Sequence, residues 1–159
     1  MGCRLRDLGY GRMTKSAKPA TINFYVDADV LGLAKVLVAI RPDVTYPGDP
    51  GGQVKGYRVR PPCVVTDTAT PDAVWIPETA RQRWLILTRD RHIQEHRAEI
   101  QAVRDSGARM ITLTGRDAVD TFHQLESLMC QWRRIERLLP RSGPFIFGVT
   151  RTSFREIPL

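Results

Sequence analysis

The stretch of residues 72–90 constrains the fold of this chain more than any other feature of the sequence. Its first part, D-A-V-W-I-P-E-T-A, predicts a helix that opens on an acid. Its last part, W-L-I-L-T-R-D, predicts a buried strand that ends on an acid. In an open parallel sheet, the carboxyl ends of the strands and the first turns of the flanking helices lie at the same edge. The pattern therefore predicts that the carboxylates of Asp72 and Asp90 converge.

A second strand that ends on an acid occurs earlier in the chain. The run I-N-F-Y-V-D ends at Asp27, and Asp29 follows two residues later. Carboxylates brought together from separate parts of a chain are the ligands that a hard divalent cation prefers. We therefore expect a metal site formed by Asp27, Asp72 and Asp90, with Asp29 as a further candidate ligand. Repulsion among these acids is expected to raise the pKa of at least one of them.

Strands and helices alternate along the rest of the chain. Further helices are predicted over residues 30–40, about 92–106 and 117–139, and further strands over 43–46, 109–114 and 145–150. We expect the last strand to lie at an edge of the sheet. The long final helix is expected to bury one stripe, which consists of Ala118, Phe122, Leu125, Met129, Trp132 and Leu139. This alternation predicts an α/β fold, with a mostly parallel sheet that carries helices on both faces.

Length and composition are those of a single globular domain. The 159 residues suffice for one hydrophobic core, and 42% of them are hydrophobic and 26% charged. No apolar run approaches the roughly 18 residues that a membrane span requires. Residues 1–20 are basic but lack the apolar segment of a secretory signal, so we expect a loosely held tail, a domain over 21–159 and a cytoplasmic protein. The three cysteines have no spacing that indicates disulfides or a zinc ribbon.

The net charge of +7 is typical of proteins with a polyanionic partner, although basic composition alone does not establish one. An acidic site within a basic protein is expected where carboxylates hold a metal and the surrounding arginines hold phosphates. Arg89, Arg91 and Arg97 surround Asp90 in sequence and are the predicted phosphate contacts. The alternative is that they form a solvated charged face.

These elements resemble the PIN-like nuclease superfamily, particularly its compact branch related to VapC-type toxins. The resemblance is carried by the strand that ends at Asp27, by T-P-D-A-V-W-I-P-E-T-A at residues 70–80 and by W-L-I-L-T-R-D at 84–90. It covers roughly residues 22–114. The resemblance implies a Rossmann-like three-layer α/β/α fold that cleaves RNA with Mg²⁺ or Mn²⁺ held by Asp27, Asp72 and Asp90. It also implies a toxin of a toxin–antitoxin pair, whose candidate protein partners are a cognate antitoxin and a second copy of the chain.

One departure from the family pattern leaves the catalytic assignment open. The family commonly has a further acid on the helix after the first strand, whereas residues 30–40 contain no Asp or Glu. The residues considered as replacements are Asp29, Asp43, Asp49 and Asp67. Glu78 is not considered, because its spacing from Asp72 turns it away from the same helical face. A degenerate PIN-like module that binds RNA or protein without cleavage is therefore the alternative.

Individual residues of the predicted site also have purely structural interpretations. Asp72 follows Pro71 and fits a helix N-cap, and Asp27 fits a cap of the next helix. Thr88 shares a strand face with Asp90 and is expected to orient it or a metal-bound water, unless it serves only strand propensity. Trp75 and Trp84 are expected to pack in the core rather than to stack on bases.

Two further motif matches indicate other enzyme classes. Residues 92–96 read H-x-x-E-H, a zinc-peptidase pattern that would need another ligand, for which Glu126 or Glu136 is a candidate. The run F-Y-V-D-A-D resembles the first motif of haloacid-dehalogenase-like phosphatases, which would make Asp27 a nucleophile and Asp29 an acid/base. That family also expects a lysine, and the sequence has none after Lys55.

Overall fold

The computed structural model describes residues 17–54, 56 and 58–159, which form two sheets and four α-helices. The strands are β1 (Lys18–Pro19), β2 (Phe24–Val26), β3 (Val44–Thr45), β4 (Gly52–Val54), β5 (Arg58–Arg60), β6 (Leu85–Arg89), β7 (Arg109–Leu113), β8 (Phe145–Val149) and β9 (Phe154–Ile157). The helices are α1 (Leu31–Ile40), α2 (Asp72–Arg81), α3 (Arg97–Ser106) and α4 (Thr121–Arg137). Of the helices described, none has both the length and the apolar character that crossing a membrane requires.

The main sheet has six strands in the order β3-β2-β6-β7-β8-β9. Its neighbouring strands are all parallel except β8 and β9, which are antiparallel. Val26 of β2 lies beside Leu87 of β6, so the residues that follow them, Asp27 and Thr88, emerge together at the carboxyl edge. The predicted mostly parallel α/β sheet is confirmed.

Helices cover both faces of this sheet because its central strands are apolar on both sides. On one face, Phe24 and Val26 join a core that includes Leu33 of α1 and Leu128 of α4. On the other face, Tyr25 joins a core with residues of α2 and α3. Successive side chains of a strand point to opposite faces, so β2 contributes to both cores. The result is the three-layer α/β/α arrangement.

The predicted helix over residues 92–106 is interrupted near its start. A 3₁₀ turn spans Ile93–Glu95, and α3 begins only at Arg97. Between them, His96 has φ −90° and ψ 73°, which is not a helical conformation. The helix ends as predicted at Gly107, whose φ of 71° lies in the left-handed region that suits glycine.

Two predictions for the C-terminal third are wrong. β8 is an interior strand, and β9 forms the sheet edge instead. The stripe predicted for the final helix is wrong only in part, because Phe122 (73%) and Met129 (58%) are exposed. Its other members, Ala118, Leu125, Trp132 and Leu139, lie in or against the core. The residues that α4 does bury are Gln124, Ser127, Leu128, Gln131 and Ile135. Three of these residues are polar, and the Gln131 amide donates to the Thr150 and Arg151 carbonyls of the loop between β8 and β9, so apolar spacing does not reveal this face.

A small second sheet in the order β1-β5-β4 lies beside β3. Its strand β1 falls within the predicted tail, of which residues 1–16 lie outside the described residues. The buried Arg60 of β5 forms an ion pair with the buried Asp49 and donates to the Val44 carbonyl of β3. Asp49 also accepts hydrogen bonds from the Thr45 hydroxyl at 3.2 Å and the Gly51 backbone at 2.9 Å.

Candidate metal centre

An acidic cavity of about 260 Å³ opens at the carboxyl edge of the main sheet. Its lining residues are Asp27, Asp29, Asp72, Thr88, Arg89, Asp90, His96 and Glu99. The structure thus places all four predicted acids on one cavity, although Asp29 is exposed. Among the described residues, the set whose ligand atoms lie within 4.8 Å of one another is Asp90, His96 and Glu99, and not the predicted Asp27, Asp72 and Asp90. The structure therefore adds His96 and Glu99, which the sequence interpretation did not include.

Asp27 is held in the cavity by hydrogen bonds to both of its carboxylate oxygens. Oδ2 accepts from the Thr88 hydroxyl at 2.9 Å, and Oδ1 accepts from the Ala28 backbone at 2.6 Å. Asp27 therefore caps the following 3₁₀ turn, as its structural interpretation predicted. Thr88 hydrogen-bonds to Asp27, so the expectation that it orients Asp90 was wrong. The 3% exposure of Thr88 keeps this bond away from solvent.

The pKa of Asp27 is raised to about 6, and burial is the largest cause. The neighbouring charges of Asp29 and Asp72 raise this pKa further, while the two hydrogen bonds oppose the shift. We expected repulsion among acids to raise a carboxyl pKa, and it does contribute. Desolvation of the carboxylate nevertheless outweighs it.

Asp72 is the first residue of α2, and it does not cap the helix. Pro71 occupies the N-cap position, and no side chain caps the helix there. Asp72 Oδ1 instead accepts a hydrogen bond of 2.9 Å from the Trp75 indole nitrogen, which lies one helical turn later. Trp75 is buried and stacks on Tyr25 with ring centroids 5.2 Å apart. The core thereby anchors one carboxylate oxygen of the exposed Asp72. Trp75 and Trp84 are both buried, as predicted.

Asp90 follows β6 and is fixed through its backbone and one carboxylate oxygen. Its backbone nitrogen donates to the Thr112 hydroxyl at 2.9 Å, and Oδ1 accepts from the His92 backbone at 2.7 Å. The other oxygen, Oδ2, is buried and makes no hydrogen bond. His96 Nδ1 lies 2.5 Å from Oδ2, an ion-pair distance, but not in hydrogen-bond geometry. A buried carboxylate oxygen without a donor is costly unless a cation faces it.

Glu99 lies in the first turn of α3, and its side chain is 16% exposed. Its pKa is raised to about 7, first by burial and then by the charges of Asp72, Asp90 and Asp27. The signal for Glu99 was available in the sequence. The helix that follows β6 begins at the same sheet edge as Asp90, so an acid in its first turn reaches the same cavity.

The other acids considered for the fourth position do not line the cavity. Asp43 binds Arg41 and Asn23, and Asp49 pairs with Arg60. Asp67 accepts a hydrogen bond from the Ala69 backbone in an exposed turn.

The H-x-x-E-H pattern does not form a zinc-peptidase site. His92 Nδ1 faces Glu95 at 3.5 Å, whereas His96 faces Asp90 and Glu99. Because the chain leaves the helical conformation at His96, the two histidines do not share one helical face. Glu126 pairs with Arg151, and Glu136 accepts from the Trp132 indole, so neither proposed ligand lines the acidic cavity.

The three predicted phosphate-binding arginines lie in different places. Arg89 lines the acidic cavity, and its buried Nε has no hydrogen-bond partner. Arg91 lines a neighbouring cavity of about 340 Å³ together with Arg155. Arg97 lines neither of these two cavities.

The donors of the acidic cavity fit a divalent cation. Carboxylate oxygens are the ligands of Mg²⁺ and Mn²⁺, and the buried, unsatisfied Oδ2 of Asp90 is positioned for a positive partner. Burial and mutual repulsion penalise the charged forms of Asp27 and Glu99, and a cation would offset both effects.

Comparison with known proteins agrees with this geometry. A family model described as a PIN-like domain matches residues 23–115, a range that contains every residue lining the acidic cavity. No curated protein and no solved structure matches the chain.

Proposed function

Because the chain belongs to the PIN-like domain family, we propose that it is a metal-dependent endoribonuclease. The observation that carries the proposal is the convergence of Asp27, Asp72, Asp90 and Glu99 on one cavity, where a buried carboxylate oxygen lacks a donor. PIN-like domains are generally nucleases, which supports a phosphodiester hydrolase.

In this proposal the four acids hold Mg²⁺ or Mn²⁺. The bound ion would lower the pKa of a water molecule and stabilise charge that develops on phosphodiester oxygens. The protein supplies the positions of the acids. Thr88 holds Asp27, Trp75 holds Asp72, and the His92 backbone holds Asp90. Each of these acids is thereby restricted before an ion binds, which reduces the cost of ordering the site.

RNA is the proposed substrate because arginines flank the acids within a basic protein. Arg89 lies in the acidic cavity, and Arg91 and Arg155 line the cavity next to it. Residues 91–95 contribute to the second cavity, and Asp90 and His96 on either side of them line the first. A chain of phosphates passing from one cavity to the other would therefore meet a guanidinium group in each of them.

The competing function is a non-catalytic PIN-like module that binds RNA or protein. It was suggested by the missing acid on the helix after the first strand. Glu99 supports the enzyme instead, because it brings a carboxylate to the cavity from a different helix. The phosphatase alternative is weakened by membership of the PIN-like family.

The finer proposal is that the enzyme acts in the cytoplasm as the toxin of a toxin–antitoxin pair. A cognate antitoxin and a second copy of the chain are its proposed protein partners. The support for this role is the resemblance of residues 70–90 to VapC-type proteins. Induced expression should then stop cell growth, and normal growth with fully active enzyme would contradict the toxin role.

The decisive experiment is cleavage of a mixed RNA pool with Mn²⁺ or with EDTA. Asp90→Asn keeps the side-chain shape and the oxygen that accepts from His92, but removes a charge. We expect cleavage to fall by about 100-fold or more, because electrostatic stabilisation of the transition state is lost. The thermal unfolding midpoint should not fall, because neutralising one acid of the cavity relieves repulsion.

Asp67→Asn is the matched control, because Asp67 lies in an exposed turn outside the cavity. Asp27→Ala should also be inactive. Salt-sensitive RNA binding without cleavage, unaffected by Asp27→Ala, would contradict the enzyme and favour the binding module. A large loss of stability in Asp90→Asn would instead indicate a structural role for Asp90.

A further inference from the structure

We propose that Asp90, His96 and Glu99 form a nitrogen-containing metal position that favours a transition-metal ion such as Mn²⁺ over Mg²⁺. The three side chains each offer one ligand atom, and these atoms all lie within 4.8 Å of one another. This inference rests on the proposed function only in that both use Asp90 and Glu99. It assigns to the site a ligand type that the acid set lacks.

The backbone explains how an imidazole reaches the acids. His96 has non-helical φ and ψ angles between the 3₁₀ turn and α3. Its Nδ1 lies 2.5 Å from Asp90 Oδ2 and 3.8 Å from a Glu99 carboxylate oxygen. A continuous helix through residues 92–106 would instead have placed His96 one turn from His92 on the same face. The interruption of the helix thus directs only one of the two histidines into the cavity.

The contacts of the three groups are those of metal ligands and not of an ion pair whose hydrogen bonds are all formed. Asp90 Oδ2 is buried and accepts no hydrogen bond, although the imidazole nitrogen is close to it. The imidazole is 54% exposed, so its wall of the cavity is open to solvent and to an entering ion. An oxygen without a donor, beside an imidazole nitrogen and a second carboxylate, matches the ligand atoms of a small divalent ion.

Ligand chemistry determines which ion this position favours. Mg²⁺ is a hard cation that prefers oxygen ligands and retains several waters. Imidazole nitrogen binds first-row transition ions, and Mg²⁺ gains little from it. If the imidazole is a ligand, its removal should weaken Mn²⁺ binding more than Mg²⁺ binding. If carboxylates alone hold the ion, its removal should leave the affinity for both ions nearly unchanged.

The test is metal binding to the intact protein, measured separately from RNA cleavage. Titration calorimetry with Mn²⁺ and with Mg²⁺ is compared for the wild type, His96→Gln and the matched control His92→Gln. His92 lies on the neighbouring cavity and faces Glu95. We expect His96→Gln to weaken Mn²⁺ binding about tenfold and to leave Mg²⁺ binding nearly unchanged. His92→Gln should behave as the wild type with both ions.

Pulsed electron paramagnetic resonance of bound Mn²⁺ provides a second readout. The wild type and His92→Gln should show coupling to an imidazole nitrogen, and His96→Gln should not. Absence of this coupling in the wild type, or equal loss of Mn²⁺ and Mg²⁺ affinity in His96→Gln, would overturn the inference. Selective loss of Mn²⁺ binding in a protein that does not cleave RNA would uphold this inference and contradict the proposed function. RNA cleavage by the wild type, together with unchanged Mn²⁺ binding in His96→Gln, would uphold the proposed function and contradict this inference.

Discussion

Acidic side chains occur in two contrasting environments in this protein. Asp49 is fully buried and is satisfied from within the chain by Arg60, the Thr45 hydroxyl and the Gly51 backbone. In the acidic cavity, four carboxylates stand together with Asp29. Among the described residues, only the His96 imidazole lies within ion-pair distance of them. Arg60 therefore neutralises the charge of Asp49 within the fold. The described residues supply much less positive charge to the acids of the cavity.

The charge of Asp49 stabilises the fold, whereas the charges of the cavity acids destabilise it when no cation is bound. A buried ion pair whose carboxylate accepts hydrogen bonds on both oxygens, as that of Asp49 does, loses much stability when one member is removed. A cluster of acids without sufficient counter-charge gains stability when one member is neutralised, because repulsion and desolvation are relieved. Stability and activity should therefore respond in opposite directions in the cavity.

The largest effect is expected for the built-in pair. Asp49→Ala leaves the buried Arg60 guanidinium without its counter-charge and should lower the free energy of unfolding by about 3–5 kcal/mol. Urea unfolding followed by circular dichroism measures the loss. Asp29→Ala is the control, because Asp29 is exposed and should change the free energy little. A loss in Asp49→Ala no greater than in this control would remove the distinction between the two environments.

A smaller effect, of opposite sign, is expected for Glu99. Its pKa in the folded protein is about 7 against an ordinary value of 4.5, so the folded state binds its proton more tightly than the unfolded state does. The stability associated with that proton is fully present below about pH 4 and is lost as the pH rises through about 7. Glu99→Gln cannot lose a proton, and at pH 8 without metal it should raise the free energy of unfolding by about 1–3 kcal/mol.

The same variant should show little gain at pH 4, where Glu99 is protonated in both states. Urea unfolding at the two pH values measures the difference. Glu95→Gln is the matched control, because Glu95 is exposed on the neighbouring cavity. A gain that is equal at both pH values would show that the charge of Glu99 is not its cause.

The smallest effect is expected for Thr88. Its hydroxyl donates to Asp27 and lowers the pKa of that carboxyl, which burial raises to about 6. Thr88→Val removes the donor, so the pKa of Asp27 should rise further and stability should fall by about 1 kcal/mol. Carbon-13 nuclear magnetic resonance of the carboxyl groups measures the titration. Thr112→Val removes a hydrogen bond to the Asp90 backbone instead and should leave the Asp27 titration in place.

The sheet and the convergence of three acids could be predicted from sequence because both follow from backbone periodicity. Residues 22–27 and 84–90 are apolar runs that end on acids, and parallel strands bring their ends to one edge. The position of Asp72 follows from the same rule, applied to the start of a helix. None of this required knowledge of which way any side chain turns.

The remainder of the site depends on interactions that periodicity does not report. The orientation of His96 follows from a break in the helix, and the Thr88 hydroxyl bonds to the neighbouring strand's Asp27 rather than to Asp90. Helix α4 buries two glutamines whose amides donate to backbone carbonyls, and a count of apolar residues does not report such contacts. The predicted stripe therefore wrongly included the exposed Phe122 and Met129. Glu99 was predictable, because the rule that located Asp72 applies equally to α3.

The two outer strands of the main sheet also bear on how copies of this protein can associate. β3 is only two residues long, and its Val44 carbonyl already accepts from Arg60. At the other border, β9 exposes Arg155 and Glu156. Short borders and outward charges discourage the strand-to-strand templating that leads to aggregates. Two copies should therefore associate through helical or loop surfaces, without pairing of their edge strands.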